Sequence, residues 1–395
     1  MLIRISRQIE IPDPVRIERY RRLPEYGPKI LFFSGGSALR GASRELMKYT
    51  HNSIHIISAF DSGGSSAILR RYLKMPAIGD IRNRLMALAD RSILGNPEIF
   101  NLFSYRFPDD AHNGDLGSEL DRMIRGKHRL VAAISDPMRK IIRNHLFQFR
   151  ENVPEDFDLR KASIGNLILA GGYLGNQRHL DPVIYIFSRL VQVKGIVRPV
   201  ISKDLHLAAE LEDSTVVVGQ HLLTGKEKGP LNKRIVELFL TENIRQPEPV
   251  HVKLRKKVTD LIGSAELICF PMGSFFTSII ANLLPDGVGT SIGLNSCPKI
   301  FIPNTGNDPE LYGLSVADQV EILIRYLKKD NEENIASGDL LNFVVIDRKN
   351  GDYGEIDCDR IRKAGIEVID CPLISEESAP YIDEKLLVPI LLSFI

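Results

Sequence analysis

The segment from Ser58 to Asp90, SAFDSGGSSAILRRYLKMPAIGDIRNRLMALAD, decides the fold class of this 395-residue chain. An apolar stretch ending at Phe60 runs into the glycine- and serine-rich turn DSGGSS, and a cationic helix is predicted to follow it. Asp80 then stands behind a glycine at the start of another predicted helix. A strand, a glycine-rich turn and a helix in this order are typical of a βαβ unit with parallel strands. Neither turn needs an acid to close, so Asp61 and Asp80 are candidates for chemistry.

The same succession recurs along the chain. KILFFSGG precedes the helical GASRELMKYT, AELICFPMGS precedes FFTSIIANLL, and KIFIPNTGN precedes SVADQVEILIRYLKK. LLNFVVID and GIEVIDCPL have the composition of two further strands. The repetition predicts an α/β fold with a mostly parallel sheet. Residues 204–222, DLHLAAELEDSTVVVGQHL, alternate apolar and polar side chains, which predicts a β-hairpin on the flank of the sheet.

The chain is predicted to form one large domain with two additions. Residues 29–395 carry the α/β pattern, and residues 1–28 form a charged N-terminal extension. Residues 108–158 are charged, amphipathic and poor in strand-forming residues, so we expect a helical insertion there. Its expected roles are a lid, a partner surface or an oligomer contact.

Composition excludes several functional classes. The formal net charge is +1, so no global field favours nucleic acid or an anionic membrane. No apolar run approaches the roughly 20 residues of a membrane span, and the charged N-terminus has no signal-peptide core. The four cysteines show neither a C-x-x-C pair nor a histidine partner, which favours reduced thiols over a zinc site. We therefore expect a cytoplasmic protein.

Four predicted strand ends carry residues suited to a ligand. In an open parallel sheet, ligands bind beyond the carboxyl ends of the strands, where helix N-termini expose N–H groups that favour phosphate. None of the turns is a Walker A loop or a G-x-G-x-x-G fingerprint, and any single Gly-Ser turn is better explained as tight helix entry. Several such turns on one sheet favour a phosphate-bearing ligand. With Asn166, the predicted nucleotide- or phosphate-binding residues are Gly35, Gly36, Ser37, Gly63, Gly64, Ser65, Gly273, Ser274 and Asn304, with Gly306 and Asn307 beside the last.

Asp61 and Asp80 are the predicted metal ligands, and Asp61 is also the predicted catalytic residue. Mg²⁺ takes one or two protein carboxylates and completes its shell with phosphate and water. Two acids beside phosphate-binding turns therefore suggest magnesium-assisted transfer at a diphosphate. The alternative is structural, because an Asp at a helix start commonly caps the helix, and for Asp80 alone the two readings are equally weighted.

Three further residues have two open readings each. Asn166 stands before an apolar helix and either contacts a base or ribose or caps that helix. Arg82 and Arg84 either meet phosphates or lie on a solvated helix face.

Seven segments together resemble the CofD/YvcK family, and the match spans most of residues 29–317. In chain order they are FFSGGSALRGASREL, SAFDSGGSSAILRRYL, IGDIRNRLMALAD, LFSYRF, ASIGNLILAGGYL, VRPVISKDLHLAAELEDSTVVVGQ and PMGSFFTSIIANLL. The linked DSGGSS, GDIRN and IGN motifs are highly specific and are closer to the YvcK-like side. The family includes 2-phospho-L-lactate transferase, which makes a deazaflavin cofactor, and bacterial gluconeogenesis or cell-shape factors.

The resemblance implies a Rossmann-like three-layer α/β/α core that binds a nucleotide diphosphate across its strand ends. For the transferase branch it implies attack of a deazaflavin hydroxyl on lactyl-diphospho-guanosine, with GMP leaving, Mg²⁺ assisting, and Asp61 and Asp80 at the metal positions. The YvcK-like branch implies binding of a UDP-sugar and regulation without turnover. A homo-oligomer is also expected.

Two departures bear on the substrate more than on the fold. Ser37 and Ala38 follow Gly36 where the family has G-G-T-G, and Ser62 replaces the second acid of the YvcK-like D-D-G-G. The two leading hypotheses are a transferase acting on a phosphate-linked nucleotide and a non-catalytic sensor of a nucleotide or nucleotide sugar.

Overall fold

Two β-sheets carry the fold in the computed structural model, which describes residues 8–92, 95–225, 229, 231–306, 308–330 and 335–395. One sheet has seven strands, all parallel, and the other has three antiparallel strands. In the described residues the strands are β1 (Ile30–Ser34), β2 (Ile54–Ile57), β3 (Ile196–Pro199), β4 (His206–Leu211), β5 (Val216–Val218), β6 (Ile235–Thr241), β7 (Leu267–Phe270), β8 (Lys299–Phe301), β9 (Phe343–Ile346) and β10 (Glu367–Asp370).

The large sheet reverses its strand order at β1. Its order is β10-β9-β8-β7-β1-β2-β3, so the chain first builds β1, β2 and β3 toward one edge. It then returns to the other side of β1 and builds β7 to β10 toward the opposite edge. The carboxyl ends of β1 and β7 therefore border the switch point, which is where open parallel sheets bind ligands.

Helices cover the sheet, and one 3₁₀-helix precedes β1 at Pro24–Tyr26. The α-helices in the described residues are α1 (Pro14–Arg22), α2 (Arg40–Leu46), α3 (Gly64–Leu73), α4 (Gly79–Ala87), α5 (Pro97–Ser104), α6 (Asn113–Ile124), α7 (Arg129–Ala132), α8 (Met138–Glu151), α9 (Ile164–Gly175), α10 (Leu180–Leu190), α11 (Gln220–Leu223), α12 (Lys256–Gly263), α13 (Val288–Leu294), α14 (Val316–Lys328), α15 (Ser337–Leu340), α16 (Cys358–Lys363) and α17 (Glu384–Ser393). In the part of the chain that is described, no helix combines the length and the apolar character needed to cross a bilayer.

Successive side chains of β1 point to opposite faces of the large sheet, and each face is covered by a layer of helices. All five residues of β1 are buried, because both faces of the sheet are covered. Ile30 and Phe32 pack in a cluster with α2 and α17, while Leu31 and Phe33 pack in a cluster with α12, α13 and α14. The predicted three-layer α/β/α fold with a mostly parallel sheet is confirmed.

A helical subdomain fills the connection between β2 and β3. Helices α3 to α10 share one apolar cluster, in which α8 packs closely along α9. Residues 108–158, the range of the predicted insertion, contain α6, α7 and α8 and form the middle part of this subdomain. The segment therefore shares its core with the helices on either side of it.

The predicted hairpin is present and carries a third strand. β4 pairs with β5, and β6 then adds antiparallel to the other edge of β4. One expectation is wrong in detail: the segment predicted as an ordinary helix after β7 is a π-helix, Phe275–Ile279, followed by a 3₁₀-helix, Ile280–Leu283. Of the N-terminal extension, residues 1–7 lie outside the described residues, and α1 contacts the C-terminus through the Asp13 amide, which donates to Ser393 Oγ at 2.8 Å.

Candidate functional site

The four predicted ligand-binding turns follow four neighbouring strands. Gly35 follows β1, Asp61 follows β2, Gly273 follows β7 and Asn304 follows β8, and these strands lie side by side in the order β8-β7-β1-β2. Because all four strands are parallel, the turns share one edge of the sheet and flank the switch point. The structure thus places the four turns along one edge.

The turn after β1 is pressed against Asp80. A Cβ added to Gly36 would lie 2.1 Å from Asp80 Oδ1, and one added to Gly35 would lie 2.5 Å from Ser278 Oγ. No side chain fits at either position, which explains both glycines. Ser37 is exposed at the outer end of the same turn.

Asp61 lies against Gly79, the first residue of α4 and the neighbour of Asp80 in the chain. A Cβ on Gly79 would lie 3.1 Å from Asp61 Oδ2 and 2.5 Å from Ser66 Oγ. Asp80 is the next residue and belongs to the first turn of α4. The Asp61 carboxylate also accepts the Gly63 amide at 3.0 Å, which closes the turn into α3. The glycine between them lets α4 begin against the start of α3, and so places both acids beside it.

A third helix start joins this arrangement. Asn166, in the first turn of α9, is 2 % exposed, and its Nδ2 donates to Ser65 Oγ at 3.0 Å. Asn166 Oδ1 is buried without a hydrogen-bond partner. A Cβ on the neighbouring Gly165 would lie 2.9 Å from Arg82 Cδ. No side chain caps α3, α4 or α9. The first amide of α9, at Ile164, donates to the Tyr105 carbonyl at 3.0 Å, so the helix starts that remain uncapped beside the two acids are those of α3 and α4.

Arg84 is a buried organiser of the site. Its side chain is fully buried, and its guanidinium donates to the carbonyl oxygens of Leu39 at 3.0 Å and Gly35 at 2.9 Å. The reading in which Arg84 lies on a solvated helix face is wrong, because the side chain turns inward to hold the turn after β1.

The site also carries an excess of positive charge. Burial, together with the nearby cations Arg106 and Arg40, lowers the pKa of Arg82 to about 10, against the opposing effect of Asp80. Burial likewise lowers the pKa of Arg84 to about 10, where Asp80 again opposes the shift. Both groups stay cationic at neutral pH. Mutually repelling arginines near the Asp80 carboxylate are the electrostatic setting expected for an anionic ligand.

The two carboxylates suit Mg²⁺ only together with such a ligand. The described residues contain no group of three or more His, Cys, Asp or Glu side chains arranged to hold a metal ion. Mg²⁺ prefers oxygen donors and commonly uses one or two carboxylates plus phosphate and water. Asp61 and Asp80 supply hard oxygen donors beside glycines, so the donor set fits the ion, and Asp80 additionally faces the arginines.

The turn after β7 differs from the expectation. The amides of Phe276 and Thr277 donate to Glu310 Oε2 at 2.8 and 2.9 Å, and the amide of Phe275 donates to Asp308 Oδ2 at 2.9 Å. The helix amides expected to face a phosphate are therefore already occupied by carboxylates of the chain, and that part of the expectation is wrong. Gly273, at φ +144, and Ser274 remain half-buried residues of the switch-point edge, and their contact with a phosphate stays a prediction.

Glu310 is an unusual acid within this arrangement. It is 2 % exposed, and burial, reinforced by the neighbouring Asp308, raises its pKa to about 8. Sequence reasoning missed Asp308 and Glu310, because they lie more than 30 residues along the chain from the helix start that they contact and give no local signal.

Asn304 lines a separate cavity of about 560 Å³ beyond β8. Gly306, Tyr312 and Gln319 also line it, and Gln319 Oε1 is buried without a partner. The amide groups and the tyrosine ring give this cavity the character of a site for a planar polar group. Asn307, singled out with Asn304 from the sequence, lies outside the described residues.

A family model and the similar proteins both point to the CofD family. The family model described as 2-phospho-L-lactate transferase CofD matches residues 30–374. A gluconeogenesis factor of Bacillus subtilis is 30% identical over 303 residues, which cover 76% of this chain and 75% of that protein. A gluconeogenesis factor of Listeria innocua is 25% identical over 360 residues, covering 89% of this chain and 91% of its own.

A solved structure agrees with the fold. The crystal structure of a UPF0052 family protein from Bacillus halodurans superposes with a TM-score of 0.67 at 21% identity. The match covers 93% of this chain and 99% of that one. At this level of identity the likeness supports the architecture alone.

Proposed function

The chain belongs to the CofD family, and from that premise we propose that it binds a nucleotide diphosphate together with Mg²⁺ at the carboxyl edge of its parallel sheet. The observation that carries the proposal is that α3 and α4 begin beside Asp61 and Asp80 without a side-chain cap, with arginines near Asp80. Helix N-termini and guanidinium groups stabilise phosphate oxygens, and two carboxylates hold the magnesium that such oxygens share.

Each part of the site has a distinct role in this proposal. The backbone at Gly35, Gly36 and Gly64 lines the pyrophosphate, and the Gly63 amide stays bonded to the Asp61 carboxylate and holds the turn. Arg84 keeps the turn after β1 in place through the Gly35 carbonyl. The cavity at Asn304 offers space and amide groups for the nucleoside.

The transferase chemistry of the family is the first candidate activity. In that reaction a hydroxyl of a deazaflavin attacks the phosphorus that carries the lactyl group, and GMP leaves with the electron pair of the broken P–O bond. Mg²⁺, when bound, would neutralise negative charge on the pyrophosphate. The open helix termini and arginines of this chain would stabilise the charge that develops on the transferring group.

A regulatory role is the second candidate, and the relatives favour it. Two relatives aligned over three quarters or more of this chain are named gluconeogenesis factors. In this hypothesis the same edge of the sheet binds a nucleotide sugar such as a UDP-sugar without converting it. A partner protein then recognises the ligand-bound state.

A thermal-shift panel separates the two candidates. GDP, UDP, UDP-sugars and a deazaflavin are each tested with and without Mg²⁺, and GMP release is followed with deazaflavin and the activated lactyl donor. GMP release supports the transferase, whereas Mg²⁺-dependent stabilisation by UDP-sugars alone supports the regulator. The absence of any Mg²⁺-dependent nucleotide effect would refute both.

Asp61→Asn tests the metal role directly. We expect at least a tenfold loss of Mg²⁺-dependent nucleotide affinity, because the amide keeps the bond to the Gly63 amide but loses the charge that holds the ion. The free energy of unfolding without ligand should change by less than about 0.5 kcal/mol.

Asp213→Asn is the matched control, since Asp213 also accepts an amide two residues on, at Thr215, in the β4–β5 turn. It should leave nucleotide affinity unchanged. A large loss of ligand-free stability in Asp61→Asn would instead identify Asp61 as a structural cap.

A further inference from the structure

A groove runs along the outer face of α3, beside the nucleotide edge. It encloses about 270 Å³, and one wall is formed by Ala67, Arg70, Arg71 and Lys74. Ala67, Arg70 and Arg71 are spaced i, i+3 and i+4 and share one face of α3, and Lys74 is the C-cap residue just beyond its last turn. The opposite wall comes from β4, β5 and α11 of the small sheet region.

The three cations of this wall differ in burial and in pairing. Arg70 is buried, and its guanidinium is paired with Asp204 at 2.8 Å and with the Leu205 carbonyl at 2.7 Å. Arg71 and Lys74 are exposed, and among the described residues neither side chain has an ion-pair partner. The groove therefore presents two uncompensated positive charges at one end, which match the two negative charges of a phosphate monoester.

The other end of the groove is polar. Ser62 Oγ lies 2.7 Å from His221 Nδ1 and also accepts the His221 amide at 3.3 Å. Gly219 has φ +112, and a Cβ there would lie 2.8 Å from His221 Cε1 and 3.3 Å from Ser62 Oγ. The lack of a side chain at Gly219 leaves room here, and both Ser62 and His221 line the groove as polar groups.

We propose that this groove is a second binding site, for a phosphate monoester of a hydroxylated carbon chain. The phosphate pairs with Arg71 and Lys74, and the hydroxylated part lies toward Ser62 and His221. The site is separate from the pyrophosphate turns but joined to them through the Asp61–Ser62 peptide. A ligand in the groove would therefore lie next to a bound nucleotide. The proposed monoester site does not depend on nucleotide binding.

Titration calorimetry at low salt tests the site. Glycerol 3-phosphate, ribose 5-phosphate and glucose 6-phosphate are the probes, and glucose is the uncharged comparison. We expect at least one phosphate monoester to bind at least tenfold more tightly than glucose, with an affinity that falls as NaCl is raised. If no monoester binds better than glucose, the proposal is overturned.

The double variant Arg71→Gln/Lys74→Gln locates the binding. It should weaken the monoester at least tenfold, while Arg19→Gln/Arg21→Gln, which removes two exposed cations on α1, should leave it unchanged. Equal losses in the two double variants, or no loss in the first, would overturn the proposal.

Asp61→Asn separates this site from the nucleotide site. The variant should keep monoester affinity while it loses the Mg²⁺-dependent nucleotide effect. Failure of nucleotide binding in the unmodified protein would leave the monoester result intact, so the two proposals fail independently. Circular dichroism and thermal melting confirm that each variant is folded.

Discussion

Two helix starts at the same sheet edge look alike in sequence and behave oppositely in structure. α3 begins in the turn after β2, at Gly63-Gly64-Ser65, and the π-helix begins in the turn after β7, at Gly273-Ser274-Phe275. At α3 no side chain caps the first amides, and a Cβ added to Gly64 would meet nothing within 4 Å. At the π-helix three successive amides are bonded to Asp308 and Glu310.

The difference lies in where the anion comes from. A helix N-terminus needs negative charge or acceptors, and either the chain or a ligand can supply them. The π-helix takes carboxylates that arrive from the segment after β8, so it is a structural element. α3 has open space before it and arginines nearby, so it is the start that an external phosphate can use.

The largest expected effect on stability comes from removing the Glu310 carboxylate. Glu310→Ala leaves the Phe276 and Thr277 amides and the Thr277 hydroxyl without their acceptor in a buried place. Unsatisfied buried donors cost about 1–3 kcal/mol each, so we expect a loss of about 3 kcal/mol or more in the free energy of unfolding. Urea denaturation measures it.

Glu376→Ala, at an exposed acid, is the control and should change stability by less than about 0.5 kcal/mol. If Glu310→Ala is as mild as this control, the π-helix amides do not depend on the carboxylate, and the contrast between the two helix starts disappears.

Sequence patterns predicted one side of this contrast and not the other. The strands around Phe33 and Ile56 and the glycine turns were predictable, because hydrophobic runs and turn residues act over a few neighbouring positions. Glu310 was not, since nothing near it in sequence shows that it will reach Thr277, 33 residues earlier. The inward turn of Arg84 toward Gly35 spans 49 residues and escaped local reasoning in the same way.

The acid should also leave a signature in the pH dependence of stability. Burial and Asp308 raise the pKa of Glu310 to about 8, above its ordinary value of 4.5. Between these values the folded protein binds more protons than the unfolded chain, so the free energy of unfolding falls as pH rises. The contribution of Glu310 should be complete below about pH 4.5 and lost as pH passes through about 8, with a slope of at most about 1.4 kcal/mol per pH unit.

Glu310→Gln provides the comparison, because the amide can still accept the two backbone N–H bonds but does not titrate. Urea denaturation from pH 5 to 8.5 should show a shallower decline in this variant than in the unmodified protein. Parallel curves would mean that Glu310 is ionised throughout this range and that the π-helix start holds a permanent charge.

The smallest change in stability, and the sharpest test of the contrast, comes from giving α3 an internal anion of its own. Ser65→Asp places a carboxylate in the first turn of α3, where the helix dipole stabilises it by about 0.3–1 kcal/mol and the nearby Asp61 opposes that gain. The ligand-free stability should therefore change by less than about 1 kcal/mol. Affinity for inorganic pyrophosphate with Mg²⁺, measured by calorimetry, should fall at least tenfold, because the new carboxylate occupies the position of the phosphate and repels its negative charge.

Ser65→Asn, whose side chain is as large as aspartate but uncharged, should retain most of the affinity. If the aspartate and asparagine variants bind pyrophosphate equally well, then α3 does not receive the anion, and its open amides face solvent as those of any exposed helix do.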